Sequence, residues 1–503
     1  MRSLQAQQLP GGTVDLLIIG GGINGAGIAR DAAGRGLSVM LVEMDDLASA
    51  TSSCSSKLIH GGLRYLEHFE FRLVAEALAE REVLLSTARH LVWPARFIMP
   101  HVPELRPRWM IRAGLFLYDH LGRWVKAPRS PRRSLPGSHG VRIDRGPLAE
   151  ALKPQFRHGF EYSDCRVDDA RLVLANALCA RESGAVVLTR TACVEARRQE
   201  GIWHAKLSNG ALVQARAVVN AAGPWVKEVL NRHLGQPSRD SVRLVKGSHI
   251  VLPQLYPGQH AFLLQNDDRR VVFMIPYEDR YTLVGTTDEE VPDAERPVAS
   301  AAEIEYLCRA VNRYLRRSVS AAEVLWSYAG VRPLYDDGTS DPSSVTRDYT
   351  LRLDAPAQAA PVLSVFGGKI TTYRMLAEHA MQQLAPFFPA MKPAWTASRS
   401  LPGSEFGGEG RDAARATLFA RFPQLPRETL GGIFRRHGAR AIQVIGDGEL
   451  GEHYGAGLHE RELRHFVEHE WARTAEDVLW RRSKTGLRMT ESERARVAAR
   501  LAA

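Results

Sequence analysis

The chain has 503 residues, enough for two or three domains rather than one simple core. Hydrophobic residues make up 45% and charged residues 24%, a balance that excludes a disordered chain. Lys and Arg number 66 against 56 Asp and Glu, and the resulting +10 suits an anionic substrate, an anionic membrane surface or nucleic acid without choosing among them.

The opening segment MRSLQAQQLPGGTVD lacks the charged start, apolar run and small-residue cleavage site of a secretory signal. No stretch is apolar for long enough to span a bilayer; Leu16 to Ala33 is broken by glycines, Asn24, Arg30 and Asp31. Val14 to Ile19 predicts a strand, Ile23 to Gly34 a helix, and Leu37 to Val42 a second strand ending in Glu43. A Ser-rich loop, Thr51 to Lys57, leads to Phe69 to Arg89, whose apolar spacing predicts an amphipathic helix. Arg108 to Lys126 mixes Trp109, Phe116, Tyr118 and Trp124 with Arg108, Arg112, Arg123 and Lys126, a pattern common to interfacial helices and to core helices with basic caps. Asp168 to Glu182 predicts a further helix, with Gly184 beyond its end. Strands are expected around Val186 to Glu195, Ile202 to Leu207 and Leu212 to Val219, with Ser208-Asn209-Gly210 turning between the last two. Val271 to Pro276 and Tyr281 to Thr286 flank Glu278-Asp279 as a hairpin. Pro386 to Leu401 reads as a linker, and helical spacing runs from Pro402 to Ala503. The five cysteines (Cys54, Cys165, Cys179, Cys193, Cys308) form neither a CxxC pair nor a metal spacing, and read as reduced thiols of a cytosolic protein that binds no metal.

Gly20, Gly22 and Gly25 make a GxGxxG turn directly after a strand and at the start of a helix. The first permits the tight turn, the second lets the backbone approach a pyrophosphate, and the third lets helix and strand pack closely. The helix start offers N–H groups to the phosphates, and Glu43 is spaced to accept from ribose hydroxyls while repelling a 2′-phosphate. This fingerprint does not separate FAD from NAD. Two later segments favour FAD: Ala217 to Val226, a strand running into small residues, and Val362 to Glu378, a strand followed by Gly367-Gly368-Lys369 and a helix. The second aims a helix start and a lysine at one spot, which favours a flavin carrying negative charge in its reduced form.

The blocks TSSCSSKLIHGGLRYLE (51–67), WMIRAGLFLYDHLG (109–122), NAAGPWV (220–226), VKGSHIVLP (245–253), GTTDEE (285–290), AGVRPL (329–334), GGKITTYR (367–374) and EDVLWRRSKTGL (476–487) extend along nearly the whole chain. On these blocks the sequence resembles the FAD-dependent, aerobic type of glycerol-3-phosphate dehydrogenase, within the D-amino-acid-oxidase-like flavoproteins. The resemblance implies oxidation of sn-glycerol 3-phosphate to dihydroxyacetone phosphate, with FAD as cofactor and a membrane quinone as electron acceptor. It implies an α/β fold: a discontinuous Rossmann-type FAD-binding domain (12–90, 160–240 and 325–388), an inserted antiparallel-sheet substrate domain (91–159 and 241–324), and a helical C-terminal domain (400–503). A cytoplasmic protein held peripherally on the inner face of the cell membrane is expected, through residues 108–126 or the Arg-rich C-terminal region. Monomer or homodimer is left open.

Further FAD contacts implied by the resemblance are Ser52, Ser53, Val194, Ala222, Gly223, Gly368 and Lys369. The same resemblance implies His249, Arg332 and Lys369 as catalytic, and Arg64, Tyr65, Arg270, Arg332 and Lys369 as substrate-binding. Hydride loss from C2 of the substrate requires loss of the hydroxyl proton, for which a histidine titrates in a useful range. A dianionic phosphate suits several cations. His249 is thus the expected base, Arg332 the partner of the C2 oxygen, and Arg64, Tyr65, Arg270 and Lys369 the phosphate ligands. An amino-acid oxidase of the same superfamily would need fewer cations. A non-catalytic flavin- or nucleic-acid-binding protein finds no support in an RNA-binding motif.

Overall fold

The computed structural model describes residues 12–122, 134–238, 240–268, 270–336 and 348–502. The first of its two large sheets is built on five parallel strands, in the order Val362–Phe366, Leu212–Asn220, Val14–Ile19, Val39–Val42 and Val186–Leu188. Parallel strands need covering on both faces, and the side chains of Val14–Ile19 divide accordingly. Leu16 and Ile18 pack beneath the helices Ile23–Gly34, Asp169–Glu182 and Tyr373–Leu384, whereas Leu17 and Ile19 face a three-stranded antiparallel unit carrying Trp203. Asp168 caps the second of these helices by accepting from the N–H of Arg171.

The second sheet has ten strands and is antiparallel except where Ala261–Gln265 lies parallel to Val92–Pro100. Its longest ladder pairs Val242–Pro253 with Trp326–Tyr335, and its next pairs Val92–Pro100 with His158–Val167. His158–Val167 and Trp326–Tyr335, which fall largely within chain segments assigned above to the FAD-binding domain, hydrogen-bond in the second sheet. The expected hairpin forms between Val271–Tyr277 and Tyr281–Gly285, with Glu278 and Asp279 both at positive φ. Glu278 is held in that conformation by an ion pair with Arg435 from the C-terminal region.

The expected linker packs as a strap along the first helix: Trp395 Nε1 donates to the Asp31 carbonyl, and Arg30 reaches the Arg399 carbonyl. Beyond it lie the helices Gly410–Arg421, Arg427–His437, Glu460–His469 and Glu491–Ala502, with a small hairpin, His453–Gly455 and Leu458–His459, among them. The architecture is thus α/β, with a Rossmann-type unit, an antiparallel sheet and a largely helical C-terminal region. All five cysteines are free thiols.

Candidate active site

The glycine turn has the geometry a pyrophosphate requires. Gly20 has φ of 111°, and a Cβ there would lie 2.5 Å from the Ala221 carbonyl oxygen. A Cβ on Gly25 would fall 1.9 Å from the Gly20 oxygen, so helix and strand approach as closely as they do only because both residues lack side chains. Gly22 caps the helix with extended backbone, and the next N–H, that of Ile23, donates to Ser52 Oγ at 2.9 Å. Glu43 ends the second strand and accepts from the N–H groups of Gly21 (2.6 Å) and Asp45 (2.8 Å). Burial lifts its pKa, against the pull of these two bonds. Ala222 and Gly223 follow the Leu212–Asn220 strand beside Gly20, and Ser53 lies in the short turn with Ser52. Val194 is exposed in Cys193–Gln199, its carbonyl accepting from His233. Gly368, with φ of 103°, packs against Asn24, whose Oδ1 is buried with no hydrogen-bond partner. That orphaned acceptor beside a glycine-lined helix start fits a group arriving from outside the chain.

Next to this turn lies a cavity of about 290 Å³, walled by the second sheet and by the loops around Ser52 and Gly368. It is lined by Ser52 and Gly368 on the nucleotide side and by Arg64, Tyr65, His249, Arg332 and Lys369 on the other. These five residues come from four widely separated segments. Arg64 and Tyr65 lie in the short helix Leu63–His68, entered through Gly62 at φ of 75°. The turn is anchored by Tyr118, whose hydroxyl accepts from the Gly61 N–H at 2.8 Å and donates to Asp164 at 2.7 Å. His249 and Arg332 sit on paired strands, and two glycines make room for them. A Cβ on Gly285 would fall 2.0 Å from His249 Cδ2, and one on Gly247 would fall 2.3 Å from Arg332 Nη2.

The cations converge through one carboxylate. Asp288 lies 2.6 Å from Arg332 and 4.0 Å from Arg64, and Arg332 also donates to the Thr287 carbonyl at 2.7 Å. Lys369 Nζ stands 3.8 Å above the ring of Tyr65. His249 is buried, stacked on Tyr328 at 4.8 Å, with Nε2 2.9 Å from Ser56 Oγ and Nδ1 without a partner. Burial, then the charges of Lys57 and Arg332, hold its pKa well below 6.5, so the imidazole is neutral. Beneath this floor the buried Glu303 accepts from Ser248 (2.8 Å) and Thr287 (2.7 Å) and pairs with Lys246. Burial raises its pKa, but the Ser300 backbone N–H, donating at 2.9 Å, together with these partners outweighs it and brings it to about 2.

Arg270 is not brought to the cavity. It pairs with Asp268 and lies over Tyr306. Val271 and Phe273 line the cavity instead, and because side chains alternate along a strand, position 270 is out of phase with them. Sequence reasoning did not single out His60, Ser56 or Asp288, all of which line the cavity. His60 lay inside a quoted block, and its chemistry was the available signal. No metal was expected; the structure brings His437, His465 and Glu470 within 4.8 Å, but the Arg171 guanidinium already occupies Glu470.

A family model described as FAD dependent oxidoreductase matches residues 15–363. The chain is 54% identical to a glycerol-3-phosphate dehydrogenase of Pseudomonas aeruginosa, over 96% of this chain and 94% of that one. It is 50% identical to the aerobic glycerol-3-phosphate dehydrogenase of Escherichia coli and to D-erythritol 1-phosphate dehydrogenase of Brucella abortus, each over 96% of both chains. Among solved structures it resembles the Bacillus halodurans glycerol-3-phosphate dehydrogenase complexed with FAD, with 26% identity and a TM-score of 0.69, covering 98% of this chain and 94% of that one.

Proposed function

This chain belongs to the FAD-dependent oxidoreductase family, in its glycerol-3-phosphate dehydrogenase group, and from that premise we propose how its cavity oxidises sn-glycerol 3-phosphate to dihydroxyacetone phosphate. The observation that carries the reading is the meeting of Arg64 and Arg332 on Asp288, beside Lys369 and the buried His249. When bound, FAD supplies the two-electron acceptor for the C2 hydride. The residues that would hold it are Gly20, Gly22, Gly25, Glu43, Ser52, Ser53, Val194, Ala222, Gly223, Gly368 and Lys369. Arg64, Tyr65 and Lys369 hold the substrate phosphate, which takes over the cations that Asp288 neutralises. Arg332 orients the C2 oxygen, and His249 takes the hydroxyl proton, its ring fixed by Tyr328 and Ser56. Positioning and fixed charge then supply most of the acceleration.

Anaerobic addition of glycerol 3-phosphate is expected to bleach the visible flavin absorbance. Because His249 acts as the neutral base and its pKa lies below 6.5, its contribution persists above that pH and is lost as pH falls through the lowered value. His249→Asn should slow bleaching by about 10²–10⁴-fold, the range of a lost general base. Erythritol 1-phosphate and amino acids serve as comparison substrates: faster bleaching by either would overturn the assignment.

Electrons leave for a membrane quinone in this proposal, with the protein on the inner face of the membrane. No helix among the described residues is long and apolar enough to cross a bilayer. The helix Arg108–Leu121 buries Ile111, Leu115, Tyr118 and Leu121 inward and leaves Trp109 (72% exposed) and Phe116 (55%) outward. Arg123, Trp124 and Lys126 lie outside the described residues. Burying one large aromatic stabilises by about 1.5–3 kcal/mol, so Trp109→Ser with Phe116→Ser should weaken binding to anionic vesicles at least about tenfold. Dye-linked activity should be unchanged. Equal vesicle binding by the double variant would remove this helix as the attachment.

A further inference from the structure

A second cavity, of about 600 Å³, lies between the Tyr277–Arg280 turn of the second sheet and the C-terminal helices, away from the glycine turn. Ten cationic side chains and four carboxylates line it. The carboxylates are largely spoken for: Glu278 pairs with Arg435, Glu428 is shared by Arg280 and Arg488, and Asp168 lies 3.7 Å from Lys484. Three guanidiniums, those of Arg411, Arg415 and Arg427, form no salt bridge among the described residues, and that of Arg166 meets no carboxylate, donating instead to the Pro276 carbonyl (2.9 Å) and Gln259 (3.1 Å). Nε of Arg166 and Nε of Arg411 are buried without hydrogen-bond partners. Arg415 and Arg427 come from successive helices and lie over one ring, Phe419, at 5.0 and 5.9 Å. Burial pushes the pKa of both Arg166 and Arg411 down, joined by the charge of Arg435 in the first and of Arg415 and Arg435 in the second.

We propose that this groove binds a soluble polyphosphate-bearing ligand of nucleotide size, at a site separate from the flavin-facing cavity. Arginine forks match phosphate oxygens, more than one phosphate is needed to answer Arg411, Arg415 and Arg427 together, and the volume falls within the range of small-molecule sites. The groove also touches the catalytic floor. In the turn that leads into the strand Leu58–Ile59, Ser56 and Leu58 line the flavin-facing cavity, whereas Lys57 between them, at φ of 56°, lines the groove and lies 4.9 Å from the ring of Tyr328.

The test is calorimetric titration of the holoenzyme at low salt with ATP and, separately, with inorganic tripolyphosphate. Saturable binding is expected for the wild type, and Arg415→Ala with Arg427→Ala should weaken it at least about tenfold, the effect of losing a charge-assisted contact. Arg64→Ala, in the flavin-facing cavity, should leave it unchanged. Equal affinity for the two probes supports a site that reads only the phosphate chain, and tighter ATP supports one that also seats the nucleoside. Because both arginines are exposed, the double variant should retain its FAD absorbance and melting temperature. Absence of saturable binding, wild-type affinity in the double variant, or loss of binding in Arg64→Ala would each overturn the proposal.

Discussion

Arg332→Leu is expected to lower kcat/KM for glycerol 3-phosphate by about 10²–10³-fold, the loss typical of a donor aimed at developing negative charge. FAD content and the visible spectrum should stay as in the wild type, because Arg332 lies on the substrate side of the cavity, far along the chain from the glycine turn. The substitution acts twice. It removes the fork placed for the C2 oxygen, and it leaves Asp288 without its nearer cation, 2.6 Å away, facing an anionic substrate. Arg332→Lys should recover part of the loss, since a lysine restores charge but not the two-pronged geometry. Adding Asp288→Asn to Arg332→Leu should lower KM relative to the single variant by removing the stranded carboxylate. Steady-state kinetics with a dye acceptor check all three variants. Wild-type kcat/KM in Arg332→Leu would remove this residue from the reaction.

What the sequence made legible divides by range. The strand, glycine turn and helix over 14–34 form residue for residue as expected, because the turn is specified locally by Gly20, Gly22 and Gly25. The hairpin around Glu278-Asp279 was readable for the same reason. Sheet membership was not: His158–Val167 and Trp326–Tyr335 sit in the second sheet because of partners far away in sequence, and alternation along a strand does not name its neighbour. The site shows the same limit. Arg64, His249, Arg332 and Lys369 carry recognisable chemistry within quoted blocks and meet in one cavity. Arg270 had the right charge but the wrong phase, a one-residue matter that only the observed strand register resolves. Asp288 gains its role solely from standing between two arginines that the fold brings together.

The block EDVLWRRSKTGL belongs to no catalytic wall, yet its arginines reach the nucleotide-binding unit, and this leads to the largest expected effect on stability. Arg482 is 0% exposed and Asp46, in the loop just after Glu43, is 1% exposed. Asp46 accepts from Arg482 Nη2 at 2.7 Å and from Arg481 Nε at 2.6 Å. Arg190 and Arg481 also meet on Asp477, tying the same two regions together. Asp46→Ala leaves two guanidiniums without their shared carboxylate, one of them fully buried, and should cost about 3–5 kcal/mol, the range for breaking a buried pair. Glu43 is three residues away in the same loop, so this loss should reach the cofactor: FAD should be released at lower urea and lower temperature, followed by flavin fluorescence. The exposed Arg232–Glu228 pair, with side chains 77% and 42% exposed, supplies the control, and Arg232→Ala should change stability by less than about 0.5 kcal/mol. If Asp46→Ala released FAD no earlier than Arg232→Ala, the C-terminal region would be shown to rest on the nucleotide-binding unit without supporting it.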